Sequence, residues 1–475
     1  KNIKQKNKHL SKDLKLNILK EESQQNHFPL KIKLRQASIN SKKIRKNDIF
    51  FAIKGKRRDG NLYLREVFNK KASLAIVNKI NKSEKKSKQI KVNNTLSFLT
   101  KTSSKVRENS LAKIIAITGS CGKTSLKELI GRTLNKFCRV TYSPKSFNNK
   151  FGVPLSLFNL NQKDDFGVFE VGMDKKNEID TLTKIIKPDV GVITNISYAH
   201  AKNFKNLKQI ALAKSEIMNN INEGGSVVLN ADDKFYKLFN KIALRKKLRV
   251  YSFSVKKRNV TISLNFVKKK KSKFIVSINV DNKKKYFFIS TNFENNLKNL
   301  LAAITVISIF KDVKTLNKNI FYNFESLIGR GDISKIKINN KNIFLIDESY
   351  NSNPLSLTSA ITNFDLIDNK NKKKHMILGD MLELGKHSRK LHLKMSNIIN
   401  SSSIDNVSVF GKYIKETYKN ICKEKKGLVL KKTSEIIDLI KNNVNNNDYL
   451  MIKGSNSTGL YELTNSLKRG RGNAL

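Results

Sequence analysis

The stretch that most limits what this chain can fold into is Lys113 to Thr118 and the turn that follows it. An apolar run leads directly into Thr118-Gly-Ser-Cys-Gly-Lys-Thr-Ser125, and a helical pattern continues from Lys123 to Phe137. This order reads as strand, phosphate loop, helix. Glycines let backbone N–H groups turn inward around phosphate oxygens, and the helix presents its positive N-terminus to them. Lys123 can reach the terminal phosphates, and the Thr124 hydroxyl can ligate Mg²⁺. The loop is shorter than the common G-x-x-x-x-G-K-T form, because position 117 is Ile rather than Gly. Cys121 inside the loop is read as a small residue rather than a reactive thiol.

The rest of the chain supplies a sheet for that loop. Further strands are predicted at Phe166 to Val171, Val190 to Ile196 and Ser226 to Asn230, with helical stretches between them. Such alternation argues for a parallel sheet with helices on both faces. Upstream, Asp48 to Ile53 and Ala72 to Val77 read as strands of a small α/β unit, with Asn78 to Asn94 as a loop. Residues 1–30 read as a helix or a poorly ordered lead-in. Val260 to Val267, Lys273 to Val280 and Lys285 to Ser290 alternate apolar and polar residues, which predicts an antiparallel meander. After a helix at Leu297 to Phe310, a second α/β alternation is predicted, with strands at Ile343 to Asp347, His375 to Leu378, Asn406 to Phe410 and Tyr449 to Lys453.

Length and composition bound the function. At ordinary domain sizes, 475 residues suggest about three domains. No apolar stretch is long enough for a membrane span, and no secretory signal is visible. The chain starts at Lys1, so the true start is expected to lie upstream. Three scattered cysteines fit neither a disulfide framework nor a zinc site, and point to a reducing cytoplasm. The formal charge is +56. Alone it argues for nucleic acid. However, it is spread over the whole chain, Trp is absent, and Lys, Asn and Ile are over-used, which is the signature of an AT-rich genome. Neither aromatic-and-basic clusters nor helicase-type motifs accompany it, so no nucleic-acid partner is expected.

Three further stretches carry candidate chemistry. Glu170-Val-Gly172 ends a strand near the phosphate loop, where an acid can bind Mg²⁺ or simply be solvated. Asn195-Ile-Ser-Tyr-Ala-His200 ends another, so His200 reads as a ligand or as a structural histidine. Ser146-Phe-Asn-Asn-Lys-Phe-Gly-Val-Pro154 reads as a substrate-binding loop or a set of Asx-turns. Lys214, in Ala213-Lys-Ser-Glu216, sits on a helical stretch where lysine is usually solvated.

Taken in order, these motifs resemble the Mur ligase family. The resemblance runs from about residue 37 to the C-terminus. It includes Asn230-Ala-Asp-Asp233, Gly329-Arg330-Gly331, Asp347-Glu-Ser-Tyr-Asn-Ser-Asn-Pro354, Gly379-Asp-Met-Leu-Glu-Leu-Gly385 and Lys453-Gly-Ser455. The segments 349–354 and 379–385 resemble most the member that adds D-alanyl-D-alanine to UDP-N-acetylmuramoyl-tripeptide in peptidoglycan synthesis. The resemblance implies a cytoplasmic enzyme, a monomer by family default, working through an acyl phosphate; sibling amino-acid ligases, including folylpolyglutamate-type ones, are the alternative, and a basic P-loop nucleic-acid-binding protein a more distant one. It implies three α/β domains: a UDP-substrate domain at 1–107, a central ATP domain with the meander at 108–327, and a Rossmann-like domain at 328–475.

By the same resemblance, Gly119, Ser120, Cys121, Gly122, Lys123, Thr124 and Ser125 hold ATP, with Asn296, Asn299, Arg330, Asp347, Tyr350 and Asn351 around it. Thr124 and Glu170 hold one Mg²⁺ and His200 a second. Lys214 matches a lysine that the family carbamylates. Ser41, Lys42, Lys54, Asp59, Asn148, Asn149 and Lys453 contact substrate. Several positions depart from the family pattern. Its Asp-Ser-Arg is Asn40-Ser41-Lys42, its Gly-x-His-Asn-x-x-Asn is Phe293 to Asn299 with Asn295 for His, and its Gly-Ser-Arg is Gly454-Ser-Asn456. Lysine in place of arginine keeps the charge and loses the bidentate fork.

Overall fold

The computed structural model describes residues 14–24, 32–55, 58–271, 273–281, 283–290, 294–322, 324 and 327–470, and of 294–296 the backbone alone. Three sheets organise them. The first is parallel, in order β1 (Ala37–Ser38), β2 (Ile49–Phe51), β3 (Leu74–Val77), β4 (Gln89–Lys91). The second uses β5 (Lys113–Thr118), β6 (Val140–Tyr142), β7 (Phe166–Glu170), β8 (Val190–Ile193), β9 (Ser226–Asn230), β10 (Arg249–Ser254), β11 (Ile262–Lys270), β12 (Lys273–Val280) and β13 (Lys283–Ile289). Its order is β13-β12-β11-β10-β9-β8-β5-β7-β6. The third uses β14 (Asp332–Ile338), β15 (Lys341–Glu348), β16 (Lys374–Gly379), β17 (Asn406–Phe410), β18 (Lys426–Leu430) and β19 (Tyr449–Lys453), in order β14-β15-β19-β16-β17-β18.

Buried parallel strands read as continuous apolar runs. β5 fits: Ile114 to Ile117 are fully buried between β7 and β8. The helix Lys123–Leu134 then buries Leu126, Leu129, Ile130 and Leu134, spaced three or four apart, against the helix Glu294–Ser308. This fixes the phosphate loop between a central strand and a doubly packed helix.

The predicted meander is present as β11–β12–β13. It is no separate layer. A short parallel pairing of β10 with β11 joins it to the main sheet, which becomes mixed. The predicted loop 78–94 contains β4, whose Gln89 and Ile90 are buried beside β3. β6, β10, β14 and β18 were not expected from the pattern. Three of them have only partly buried, short or alternating residues, and β14 is an edge strand of an antiparallel hairpin. Of the lead-in, Leu14–Ser23 is a helix packed on Thr95–Glu108; residues 1–13 and 25–30 lie outside the described residues.

The first unit is tied firmly to the second. Ala37 N–H donates to Asn159 Oδ1 (2.7 Å), and Asn159 Nδ2 donates back to Ala37 O (3.1 Å). Buried Arg107 donates to the carbonyls of Ile186 (2.8 Å) and Lys187 (2.9 Å). No helix among the described residues is long and apolar enough to cross a membrane.

The packing of Lys123–Leu134 gives a direct test. Leu126→Ala empties a site with 0% exposure, which is expected to remove about 2–5 kcal/mol of unfolding free energy. Guanidinium titration followed by tyrosine fluorescence would measure it.

Candidate functional site

The phosphate loop is built by its neighbours. Gly119 has φ +147, and a Cβ there would lie 1.8 Å from Thr194 Oγ1. Gly122 has φ +81, and a Cβ there would lie 2.8 Å from Asn299 Oδ1. Both positions therefore exclude a side chain. Asn195 clasps the loop from the end of β8: its Oδ1 accepts from Cys121 N–H (2.9 Å) and its Nδ2 donates to Cys121 O (3.2 Å). Ser120 N–H donates to Asn195 O (2.9 Å), and Ser120 Oγ donates to Ser197 O (2.9 Å).

These bonds set the loop's shape. The N–H groups of Ser120 and Cys121 are bonded inside the protein, while both residues line the cavity described below. Cys121 Sγ also donates to Asn353 Oδ1 (3.1 Å), and burial raises its pKa. What remains is the helix start itself. Gly122 caps Lys123–Leu134 with no side-chain hydrogen bond, so the first-turn N–H groups have no side-chain acceptor. That is an anion site. Lys123 Nζ folds back on Gly119 O (2.8 Å), and burial lowers its pKa against the pull of Glu170.

Beside the loop, Thr124 Oγ1 donates to Glu170 Oε2 (2.8 Å), and Asn148 Nδ2 donates to Glu170 Oε1 (2.7 Å). Glu170 is 1% exposed. Ser146 Oγ stands 3.2 Å from Thr124 Oγ1. The third sheet reaches the same spot. Arg330 donates to Thr124 Oγ1 (3.1 Å) and Ser146 Oγ (3.3 Å), and Tyr350 OH donates to Ser146 Oγ (3.1 Å). The Arg330 guanidinium lies over the Tyr350 ring at 4.6 Å.

A second group sits on the other side of the cleft. His200, at φ +54, has Nδ1 3.0 Å from Asp174 Oδ1 and 2.5 Å from Glu383 Oε2, without the alignment of a hydrogen bond to either. The three ligand atoms lie within 4.8 Å of one another, a spacing that suits a cation. Burial pulls the His200 pKa down, but the two carboxylates outweigh it and the net shift is upward. The expected metal residues therefore fall in two places: Thr124 with Glu170, and His200 with Asp174 and Glu383. Lys214 is 1% exposed, and burial beside Lys123 lowers its pKa well below the usual lysine value.

These groups line one cavity of about 920 Å³ between the second and third sheets. Asn299, Asn351, Asn149 and Lys453 line it too. Lys453 is held there by Glu348 Oε2 (3.2 Å) and Asn351 O (3.0 Å). Asn149 Oδ1 accepts from Phe151 and Gly152 N–H at the start of Gly152–Phe158, and Asn148 is spent on Glu170. Both asparagines are thus Asx-turn and orienting groups in this arrangement.

Asp347 is the clearest miss. It does not line the cleft; it is 0% exposed and bonds Ser349 Oγ (2.5 Å) and Lys468 Nζ (2.6 Å). Strand alternation turns Asp347 inward and its neighbour Glu348 towards the cavity. The Asn296 side chain lies outside the described residues. Ser41, Lys42, Lys54 and Asp59 lie on the first unit and not on this cavity. There Asn40 Oδ1 accepts from Lys42 N–H, Lys54 and Asp59 pair across a loop, and Asp59 Oδ1 accepts from Asn61 N–H (2.9 Å).

Comparison with known proteins now has a geometry to match. Residues 117–307 match the Mur ligase middle domain, and residues 334–456 match the Mur ligase glutamate ligase domain. The UDP-N-acetylmuramoyl-tripeptide–D-alanyl-D-alanine ligase of Buchnera aphidicola subsp. Baizongia pistaciae is 31% identical over 433 residues, covering 90% of this chain and 91% of that protein. The same-named ligase of Rickettsia prowazekii is 32% identical, covering 90% and 93%. The chain belongs to the Mur ligase family. Its fold is similar to crystal structure I of MurF from Acinetobacter baumannii, with a TM-score of 0.79, 24% identity, and coverage of 96% and 98%. The MurF ligase of Thermotoga maritima, solved with ADP, has a TM-score of 0.76, 23% identity, and coverage of 93% and 99%. The three-part α/β architecture expected from the sequence is thus that of a Mur ligase.

Within this Mur ligase, segment 379–385 is a bracket. Asp380 accepts from the N–H groups of Lys412 (3.0 Å), Tyr413 (2.9 Å) and Ile414 (2.8 Å), and Leu382 N–H donates to Ser455 Oγ (2.9 Å). Met381 N–H donates to His392 Nε2 (3.0 Å), whose Nδ1 faces Ser388 O (2.8 Å). The bracket aims Glu383 at His200. Sequence reasoning missed Ser146, Asn195, Asp174 and Glu383 as site residues, although three of them lie in the stretches it singled out.

Burial holds the His392 pKa below its ordinary value, with the Ser388 carbonyl and Asp380 opposing. The folded state thus disfavours the proton. The stability from this contact is whole above the ordinary histidine value of 6.5, and is lost as the pH falls through the lowered folded value. Thermal melts from about pH 8 to about pH 5 should show a steeper loss in the parent than in His392→Gln.

Proposed function

We propose that this Mur ligase joins D-alanyl-D-alanine to UDP-N-acetylmuramoyl-tripeptide, releasing ADP and phosphate, as a step of peptidoglycan precursor synthesis in the cytoplasm. The observation that carries the reading is one cavity in which an uncapped helix start, Lys123, Arg330, Lys214 and Lys453 converge. The names of the 31–32% identical relatives support the substrates.

Catalysis here is positioning plus charge stabilisation. The tripeptide carboxylate attacks the γ-phosphorus of ATP, ADP leaves, and an acyl phosphate remains. The dipeptide amine then attacks the acyl carbon, loses a proton, and expels phosphate as the amide forms. The first-turn N–H groups and Lys123 bind the phosphates, and Arg330 approaches them from the third sheet. Asn299 stands where the adenine end would enter beside Gly122. The carboxylate and hydroxyl of Glu170 and Thr124 fit Mg²⁺, and a second ion fits beside His200. Bound Mg²⁺ supplies charge neutralisation on the phosphate oxygens. Tyr350 and Asn351 border the nucleotide side, and Lys453 the acceptor side.

The functional division is three domains, at 1–107, 108–327 and 328–475. Ser41, Lys42, Lys54 and Asp59 bind the UDP end on the first. The chain acts as a monomer. Phosphate release should require ATP, Mg²⁺, UDP-muramoyl tripeptide and D-alanyl-D-alanine together, and should vanish in Lys123→Ala. Turnover with a different amine and none with the dipeptide would instead identify a sibling ligase.

Lys214 acts as a carbamate. Burial beside Lys123 disfavours the Lys214 ammonium, and a free amine adds to CO₂ with loss of a proton to give a carbamate. The product is an anion where the cavity is rich in cations. Stripping bicarbonate and CO₂ from the assay is expected to lower activity, with recovery on readdition, and Lys214→Ala should cost about 100-fold or more. Activity indifferent to CO₂ would leave Lys214 an ammonium.

A further inference from the structure

Lys127 lies one turn beyond Lys123, and the chemistry above does not use it. Its side chain is 0% exposed. A buried ammonium is costly unless its hydrogens are taken. Here they are: Nζ donates to Ser143 O and to Lys145 O (2.7 Å), and pairs with Glu128 Oε1 (2.9 Å). The Tyr142 ring stands 5.9 Å away. Burial lowers its pKa, with Glu128 and Glu170 pulling the other way.

Two of those acceptors belong to a single turn, residues 143–145. The turn is an unusual one, because Lys145 is held at φ +51 without being glycine. Such a residue persists only where its surroundings over-determine it. Ser143 is the other node. Its N–H donates to Val168 O (3.0 Å), and its Oγ accepts from the N–H of Glu170 (3.2 Å). Directly after the turn come Ser146, on Thr124 and Arg330, and Asn148, on Glu170. One buried charge therefore holds the turn that leads into Ser146 and Asn148 and that carries the Ser143 hydroxyl against Glu170 N–H.

We infer that Lys127 is a positioning residue: it clamps the 143–145 turn so that Ser143, Ser146 and Asn148 hold Glu170 and Thr124 in the geometry that takes a divalent cation with the nucleotide. It touches neither phosphate nor metal. The inference rests on the nucleotide reading of the cleft and not on the identity of the acceptor.

Calorimetric titration of the full chain with a non-hydrolysable ATP analogue, at stepped Mg²⁺, tests it. Lys127→Met keeps the apolar stem and removes the ammonium. The Mg²⁺ needed for half-maximal strengthening of analogue binding should rise about tenfold, while analogue affinity without Mg²⁺ stays within about twofold. A merely structural lysine would lower the melting temperature and move neither ratio. Folded Lys127→Met with the parent's Mg²⁺ requirement would overturn the inference, and so would a parent whose analogue binding ignores Mg²⁺. If Lys127→Met does not fold, Ser143→Ala decides: it deletes the hydroxyl that holds Glu170 N–H, and a rise of about threefold is expected. A parent-like value there overturns the inference as well. Because the analogue binds without turnover, a chain that shows this Mg²⁺ behaviour but no amide formation would sink the ligase reading alone.

Discussion

The first turn of the helix Lys123–Leu134 presents N–H groups that no side chain caps. Buried donors left unmatched are costly, so a fold that keeps them open has to hold them by other means. It does so from below and from both sides. Leu126, Leu129 and Ile130 anchor the helix to the sheet and to Glu294–Ser308. Asn195 and Thr194, from the end of β8, grip the loop carbonyl at Cys121. Towards the cavity the first-turn donors stay open, while the N–H groups of Ser120 and Cys121 are bonded on the protein side.

The same economy governs the opposite wall. Arg330 and Tyr350 meet Ser146, Cys121 meets Asn353, and Glu383 meets His200. Each contact joins the second sheet to the third through a group that borders the nucleotide space. These contacts build both walls of the site from the same groups, and a site walled on two sides is one from which water can be kept. His392 and Asp380 extend the arrangement outward, since they set where Glu383 points.

Much of this was legible in the amino-acid order. The strand, loop and helix around Lys123 were clear because apolar periodicity and glycine placement agree there. The strand end left Glu170 either a Mg²⁺ ligand or a solvated acid, and the family resemblance implied its pairing with Thr124; the two side chains stand 2.8 Å apart. What failed was parity and partnership. One residue's difference in register decides whether Asp347 or Glu348 faces the cavity, and the acidic pattern Asp-Glu cannot settle it without the buried Lys468. Ser120 and Cys121 sit in a phosphate-loop motif, yet Asn195, far along the chain, takes both of their backbone donors. β6 and β18 are short and only partly buried, so their sequences carry weak alternation. Such facts depend on what the fold brings near, and no local pattern encodes them.

Arg330 ties stretches far apart in the chain to one hydroxyl. It donates to Thr124 Oγ1 at 3.1 Å and to Ser146 Oγ at 3.3 Å, while the same Thr124 hydroxyl donates to Glu170. The wall carried by the third sheet is thus registered against the phosphate loop through a single small side chain, and a change at Thr124 would be felt on both walls of the cleft.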